Sequence, residues 1–310
     1  MINRSRLQTA GLLTFLVLAW GISWPIYKIA LAYTPPLLFS GMRTLFGGLL
    51  LAVFLWPRRS QIRWKSRWPI YVVSSLFNVI LYYGLQTYGL RLVPSGLFSV
   101  LVYLQPVLVG LLAWLWLEEP MSLLKVAGLV LGFLGVTAVS LEGLHGPVAG
   151  LGIALALITG AGWAIGTVYV KKTSGRVDSM WLVALQFLIG GAVLTAAGSV
   201  TERWSSITWN LPYEAGLVFG IVIGISASWA VYFHLVNSGD ASKVASFTFL
   251  VPLIAVGSGT LFLHERFTLN LILGLVLIVA SIGLVNRKGK PAAGSKQRTV
   301  AAGESGGAGC

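Results

Sequence analysis

Apolar residues in this chain come in long unbroken runs. They show neither the strict alternation of a half-buried strand nor the single stripe of a soluble amphipathic helix. A helix needs about 20 predominantly apolar residues to cross a bilayer. Ten runs near that length occur, at 11–32, 36–56, 68–90, 94–117, 122–141, 149–170, 179–199, 212–236, 241–263 and 269–286. Lipid offers the backbone no hydrogen-bond partner, so each run predicts a helix. The expected fold is an all-α integral membrane protein with ten transmembrane helices. Connections are short except for an Arg-rich loop at 57–67 and a loop at 200–211. Residues 1–10 read as a cytoplasmic N-terminus. Residues 287–310 turn to Gly, Ala, Ser, Lys and Arg without apolar period and read as a disordered, basic cytoplasmic tail.

The pattern is written twice. Pro106 is followed by Glu119, Ser122 and Gly128; Pro252 is followed by Glu265, Thr268 and Gly274, each 146 residues further on. Earlier in each half, Gly11 and Trp24 match Gly150 and Trp163 at an offset of 139. Segments 11–141 and 142–286 therefore form two five-helix repeats. Five is odd, so the second repeat enters the membrane from the opposite side. Such inverted repeats relate by a pseudo-two-fold axis in the membrane plane and place a substrate site near the midplane. Pro106 and Pro252 lack the N–H that would bond the carbonyls of Val102 and Thr248, which makes them the expected hinges. Pro25 has no counterpart, since position 164 is Ala. Small residues four apart let helix backbones approach, and Gly128, Gly132 and Gly135 read as a packing face, as do the pairs Gly162/Gly166 and Gly220/Gly224. Whether the first of these faces is internal or joins two copies is open, so monomer and homodimer both remain.

Composition sharpens this reading. Hydrophobic residues make up 56% of the chain and charged residues 10%, with mean hydropathy +0.83. Soluble domains carry about a quarter charged residues, so the partner of most of this surface is the lipid bilayer. A net charge of +13 would suit nucleic acid, but its placement does not. With the N-terminus inside, outer segments hold only Arg91, Arg203 and Arg266; Lys28 and Arg43 fall within spans, and the other Lys and Arg residues lie on the cytoplasmic side. This is a positive-inside signal. No nucleic-acid partner is expected, and an even span count puts the C-terminus in the cytoplasm too. Arg4, Arg6, the first apolar run and Ala30-Leu31-Ala32 superficially match a cleaved signal peptide. Cleavage would remove Trp24 and unbalance the repeat, so a retained first helix is expected. Trp56, Trp64, Trp68, Trp114, Trp116, Trp181, Trp204 and Trp209 fall at span ends, as an interfacial aromatic belt requires. With 3 His and the single Cys310, no disulfide, metal cluster or cofactor is expected. A membrane-embedded lipid enzyme would need a nucleophile, base or metal set in register; no such cluster is visible, and the chain reads as a non-enzyme.

Polar residues at membrane depth are functional candidates. Ser75, Asn78, Tyr82 and Gln86 form one helical stripe, and Ser95, Ser99 and Tyr103 another. Trp20, Trp24 and Lys28 share a face, as do Thr159, Trp163 and Thr167. Ser228, Trp229 and Tyr232, and then Ser242, Ser246 and Thr248, complete the set. Aromatic rings interleaved with uncharged polar groups suit an amphipathic solute. The expected substrate-binding residues are Trp163, Asn78, Tyr82, Ser99, Tyr103, Trp24, Gln86 and Ser246. Arg43 and Lys28 could draw a carboxylate, or instead snorkel to the interface. No Asp or Glu lies mid-span, which argues against a carboxylate proton relay and for facilitated diffusion. His234 is the one group titrating near neutrality, and a structural role suits it better than coupling. Glu119 and Glu265 read as helix-end capping groups.

Ten spans in two repeats, a Pro followed thirteen residues later by Glu, and the Ser/Thr–Gly helix after it resemble the drug/metabolite transporter superfamily in its EamA branch. The resemblance covers residues 8–288. It is nearest to bacterial aromatic amino-acid exporters of the YddG type. It implies a central cavity surrounded by spans 1, 3, 4, 6, 8 and 9, with 5 and 10 peripheral. It also implies export of amino acids and related metabolites across the bacterial inner membrane by alternating access. Small multidrug-resistance relatives use a glutamate in the first span, which is absent here, so proton-coupled drug exchange fits poorly. Sugar- or nucleotide-phosphate transport would need several cavity cations, and only Lys28 and Arg43 are candidates.

Overall fold

The computed structural model describes residues 4–118, 121–143, 149–235 and 250–286; among them all regular structure is helical and no strand occurs. Helix α1 is Arg4–Ala30 and α2 is Pro36–Leu55, followed by a 3-10 turn at Trp56–Gln61. Helix α3, Trp64–Leu92, carries a π-helical turn at Leu76–Leu81. Helix α4, Ser95–Leu117, consists of two segments, Ser95–Val102 and Gln105–Leu117. Helices α5, α6 and α7 are Leu123–Gly143, Ala149–Lys172 and Ser179–Thr201. Helix α8 covers 211–235, with a π-turn at Gly220–Ala227 between Leu211–Phe219 and Ser228–Leu235. Helix α9 is Leu250–Leu263 and α10 is Leu269–Asn286. Seven of these helices (α1–α4 and α6–α8) are long and apolar enough to cross a membrane; α5, α9 and α10 contribute shorter apolar stretches of 10–17 residues.

Local chemistry sets the ends. Asp178 and Asn210 accept from Trp181 N and Tyr213 N to cap α7 and α8, the expected role of Asx residues before a helix. Ser122 and Thr268 do the same for α5 and α10, three residues ahead of Lys125 N and Leu271 N. Glu118 and His264, at φ 56 and 52, are the non-glycine residues with positive φ among those described. Each terminates its helix, and they stand 146 residues apart. Helices α3 and α8 both carry a π-turn, beginning twelve and nine residues into the helix respectively.

The packing repeats in the same way. Helix α2 runs along α7, and α5 along α10. Helix α1 meets α9 and α8, while α6 meets α4 and α3. In lipid there is no water to expel from between helices, so close contact and hydrogen bonds must hold them. On α5, a Cβ added to Gly135 would strike Ile278, and Ser281 Oγ donates to the Gly128 carbonyl at 2.5 Å. The Gly128/Gly132/Gly135 face is thus an internal contact with α10. The other two glycine pairs serve side chains: Gly166 receives Asn78, and Gly220 and Gly224 receive Arg43 and Tyr27.

The aromatic belt needs one correction. Trp56, Trp64, Trp68, Trp114, Trp116, Trp204 and Trp209 are exposed, but Trp181 is 2% exposed. Its Nε1 donates to Arg58 O at 2.9 Å, so it anchors the 57–67 connection from inside.

Candidate functional site

Helices α1, α3, α4, α6 and α8 line a small, partly open cavity of about 40 Å³. Its lining is Trp20, Ser23, Trp24 and Tyr27 from α1; Asn78, Tyr82, Tyr83 and Gln86 from α3; Tyr103 from α4; Trp163 from α6; and Gly224 and Trp229 from α8. Every one of these side chains is uncharged.

The rings make a continuous series of contacts. Trp24 meets Tyr103 (centroids 6.5 Å apart), Tyr103 meets Trp163 (5.8 Å), and Trp163 meets Tyr82 (5.1 Å). Tyr82 meets Tyr83 (4.7 Å), Tyr83 meets Phe187 of α7 (5.6 Å), and Phe187 meets Trp229 (5.7 Å). Trp229 then meets Trp20 (6.0 Å), one helical turn from Trp24. Tilted and edge-on contacts at these distances are each worth about 0.5–1.5 kcal/mol beyond area burial. A continuous series of them braces the wall from helix to helix.

Three backbone irregularities aim these groups. The π-turn of α3 admits an extra residue, so Tyr82 and Tyr83, adjacent in sequence, both reach the cavity. The π-turn of α8 is held by hydroxyls: Ser226 Oγ and Ser228 Oγ donate to the carbonyls five residues back, Ile221 (2.8 Å) and Ile223 (2.6 Å). π-turns occur disproportionately at functional sites. That turn also carries Gly224, where a Cβ would overlap Tyr27 Oη. In α4 the helix breaks at Tyr103–Leu104. Pro106 stands in the first turn of the second segment, where its missing N–H is not needed. The interruption falls just ahead of Pro106, where in a continuous helix its missing N–H would have bonded the Val102 carbonyl. Pro252 is buried in the described part of α9, Leu250–Leu263.

Uncharged polar groups tie the wall to neighbouring helices. Asn78 Nδ2 donates to Gln186 Oε1 of α7 (3.3 Å), and Gln105 Nε2 to Thr167 Oγ1 (3.1 Å). Gln86 Oε1 accepts from Arg43 Nη2 at 2.7 Å. Arg43 does not snorkel; it is 0% exposed, with Cζ 4.0, 4.9 and 5.3 Å from the rings of Tyr27, Tyr83 and Phe39. Desolvated cation–π contacts are worth about 2 kcal/mol, against a desolvation cost of several kcal/mol per ion.

At the end of the bundle where α1 finishes, carboxylates join helices. Glu265 accepts from Ser95 N (2.6 Å), Gly96 N (3.1 Å) and Ser95 Oγ (3.0 Å), closing the N-terminus of α4. Lys28 Nζ pairs with Glu265 Oε1 at 3.2 Å and donates to Val93 O at 2.7 Å. Helices α1 and α4 and the end of α9 are thereby fastened. Glu202 likewise accepts from Leu37 N and Leu38 N (3.0 and 2.9 Å) at the start of α2. Both acids stand where the helix dipole favours negative charge. Glu265 therefore caps α4 across space rather than the helix that follows it.

The structure brings Trp163, Asn78, Tyr82, Tyr103, Trp24 and Gln86 to one cavity. Ser99 is fully buried and outside the lining; Ser95 belongs to the Glu265 fastening. Lys28 is engaged by Glu265, away from the cavity. Ser246, with Ser242, Thr248 and Glu119, lies outside the described residues. Sequence reasoning did not single out Tyr27, Tyr83, Ser23 or Phe187, and read Gly224 only as a packing position. For α1 a signal existed: Trp20, Ser23, Trp24 and Tyr27 follow the i, i+3, i+4, i+7 helical pattern.

The model of the EamA-like transporter family matches this chain twice, over residues 9–141 and 150–287. The chain is 54% identical over 283 residues to the uncharacterized transporter YvbV of Bacillus subtilis (strain 168), covering 91% of this chain and 93% of that protein. It is 32% identical to the uncharacterized transporter YoaV of the same organism (86% and 92% covered). It is 26% identical to a probable amino-acid metabolite efflux pump of Escherichia coli (strain K12), covering 88% and 93%. A crystal structure at 18% identity shares the fold with TM-score 0.62, over 90% of this chain and 97% of that one.

Proposed function

The chain belongs to the EamA-like transporter family of membrane proteins, and from that premise we propose that it exports aromatic and other neutral amino acids, or related metabolites, from the bacterial cytoplasm. The carrying observation is the aromatic-rich, uncharged lining of the cavity. Rings offer stacking faces to an apolar body, and Asn78, Gln86 and the tyrosine hydroxyls offer hydrogen bonds to a polar end. The efflux pump of E. coli named above lends support to amino-acid-derived cargo. A phosphate cargo is disfavoured, because Arg43 is the one cation beside the cavity among the described residues and phosphate sites use several.

The chain crosses the inner membrane ten times as two inverted five-helix repeats, with both termini cytoplasmic. This reading is supported by the duplicated family match, the paired π-turns, the 146-residue spacing of Glu118 and His264, and the recurrence of packing partners five helices apart. In that orientation the Glu265 fastening closes the outer end. Alternating access then requires it to open as the inner end closes, with bending at the α4 break beside Pro106 and near Pro252. Trp163, Tyr82, Tyr103, Trp24, Asn78 and Gln86 contact the cargo. Among the described residues no carboxylate lines the cavity as a proton relay, which favours facilitative transport.

The test is counterflow of Phe, Trp, Tyr, Met and Thr in proteoliposomes with and without a pH gradient. Accumulation of at least one of them, at a rate indifferent to the gradient, is expected. A rate set by the gradient would overturn the facilitative mechanism; no counterflow of any of the five would overturn the cargo.

A further inference from the structure

A guanidinium remains charged in proteins, and this one has no counter-ion among the described residues. Among the described residues no carboxylate pairs with Arg43, and its Nε and Nη1 have no hydrogen-bond acceptor. Three of the groups that hold it (Tyr27, Tyr83 and Gln86) also line the cavity. The cation therefore stands one side chain behind the wall. Gln86 Oε1 occupies the place on Nη2 where a carboxylate oxygen would lie, and it is the weaker partner, being neutral. Bidentate pairing needs two donors on one edge of the fork; Nη2 with a vacant Nη1 supplies them once Gln86 turns away. Helix α8 leaves room for this arrangement: a Cβ at Gly220 would lie 3.3 Å from Arg43 Cδ.

We infer that Arg43 is the carboxylate-recognising residue of the transport site. The cargo's carboxylate displaces Gln86 and takes the guanidinium edge between Tyr27 and Tyr83, while its apolar body lies against Tyr82, Tyr103 and Trp163. The substrate class is thereby narrowed to small molecules with an aromatic or apolar body and a free carboxylate; their amides and decarboxylated amines are rejected. A buried donor left unpaired by the wrong ligand gives discrimination of this kind. The inference rests on the reading of the cavity as the transport site.

The experiment measures binding of two acid–amide pairs to the purified full-length chain by titration calorimetry. The pairs are L-phenylalanine with L-phenylalaninamide, and indole-3-acetate with indole-3-acetamide. In the unaltered protein the acid is expected to bind at least about tenfold more tightly than its amide, the scale of one hydrogen bond to a charged group. Arg43→Met brings that ratio to within about twofold of unity, the amide's affinity being kept, since no charge-assisted bond remains to separate the two. Arg43→Lys retains part of the preference. A merely structural arginine would lower stability without moving the ratio. Equal binding of acid and amide by the unaltered protein, or an unchanged ratio in Arg43→Met, overturns the inference and leaves the cavity reading intact. If no member of either pair binds the unaltered protein, the cavity reading fails and this inference with it. Should Arg43→Met not fold, the unaltered ratio and Arg43→Lys decide.

Discussion

At the end of α1, Lys28 meets a carboxylate, a backbone carbonyl and partial solvent; in the middle of α2, Arg43 meets three rings and a carboxamide and no solvent at all. The two cations stand on adjacent helices and solve opposite problems. Lys28 completes a fastening that Glu265 has already made with three groups of α4. A charge satisfied on all sides is a structural element, and it holds whatever the cavity contains. Arg43 is left with unused donors next to a space lined by neutral groups. A charge kept in that condition adds little to stability, because its desolvation offsets what the rings return. Its value appears only when an anion arrives.

Substitutions can break or sharpen this contrast. The largest effect is expected at the fastening. Glu265→Ala strips acceptors from two backbone N–H groups, a hydroxyl and an ammonium, and should destabilise the detergent-solubilised protein by about 2–4 kcal/mol in an unfolding titration. Lys28→Met should cost less, about 1 kcal/mol, because Glu265 keeps its α4 donors. A larger loss for Lys28→Met than for Glu265→Ala would invert the picture.

Next comes the support of the cage. Gly224→Ala puts a methyl group where Tyr27 Oη lies, and overpacking of this kind costs about 1–3 kcal/mol. It should also weaken binding of the acid more than of the amide, since Tyr27 flanks the guanidinium. Stability equal to the unaltered protein would show that Tyr27 is free to move.

Arg43→Met is expected to change stability by no more than about 1 kcal/mol in either direction, as replacement of a buried, unpaired ion by an apolar chain commonly does. A loss matching that of Glu265→Ala would mean that both cations are structural. Smallest of all should be Pro106→Ala, within about 0.5–1 kcal/mol, since the proline occupies a first-turn position that demands no N–H. Slower exchange with unchanged stability in that variant would mark the α4 break as a moving part; a large loss of stability would contradict the first-turn geometry.

Much of this was legible in the residues. The helix limits follow the apolar runs to within a few positions because lipid enforces continuous helix. The stripe Asn78, Tyr82 and Gln86 was readable for the same reason: a helix puts residues four apart on one face. What escaped was governed by contacts between helices. Tyr83 points into the cavity only because a π-turn shifts the register ahead of it, and nothing in Leu76–Leu81 announces that turn. Its partner in α8 left a fainter trace in Ser226 and Ser228. Phe187 joins the ring series from α7, whose apolar face gives no sign of which phenylalanine touches a cavity residue. Arg43 was visible as a cation within a span, but its choice of cage over interface depended on Tyr27 and Gly220, distant in sequence. Trp181 looked like every other tryptophan at a span end until Arg58 O supplied its indole with a partner.

The most direct test of the central claim, that the aromatic-walled cavity is the route of the cargo, uses thiol accessibility. Cys310 is the only cysteine, so Cys310→Ser gives a clean background into which Asn78→Cys is introduced. A membrane-impermeant maleimide should label position 78 from the cytoplasmic face and not from the outer face, where the Glu265 fastening closes the path. L-phenylalanine should slow that labelling. Labelling from neither face, or a rate indifferent to any amino acid that the protein transports, would contradict the account.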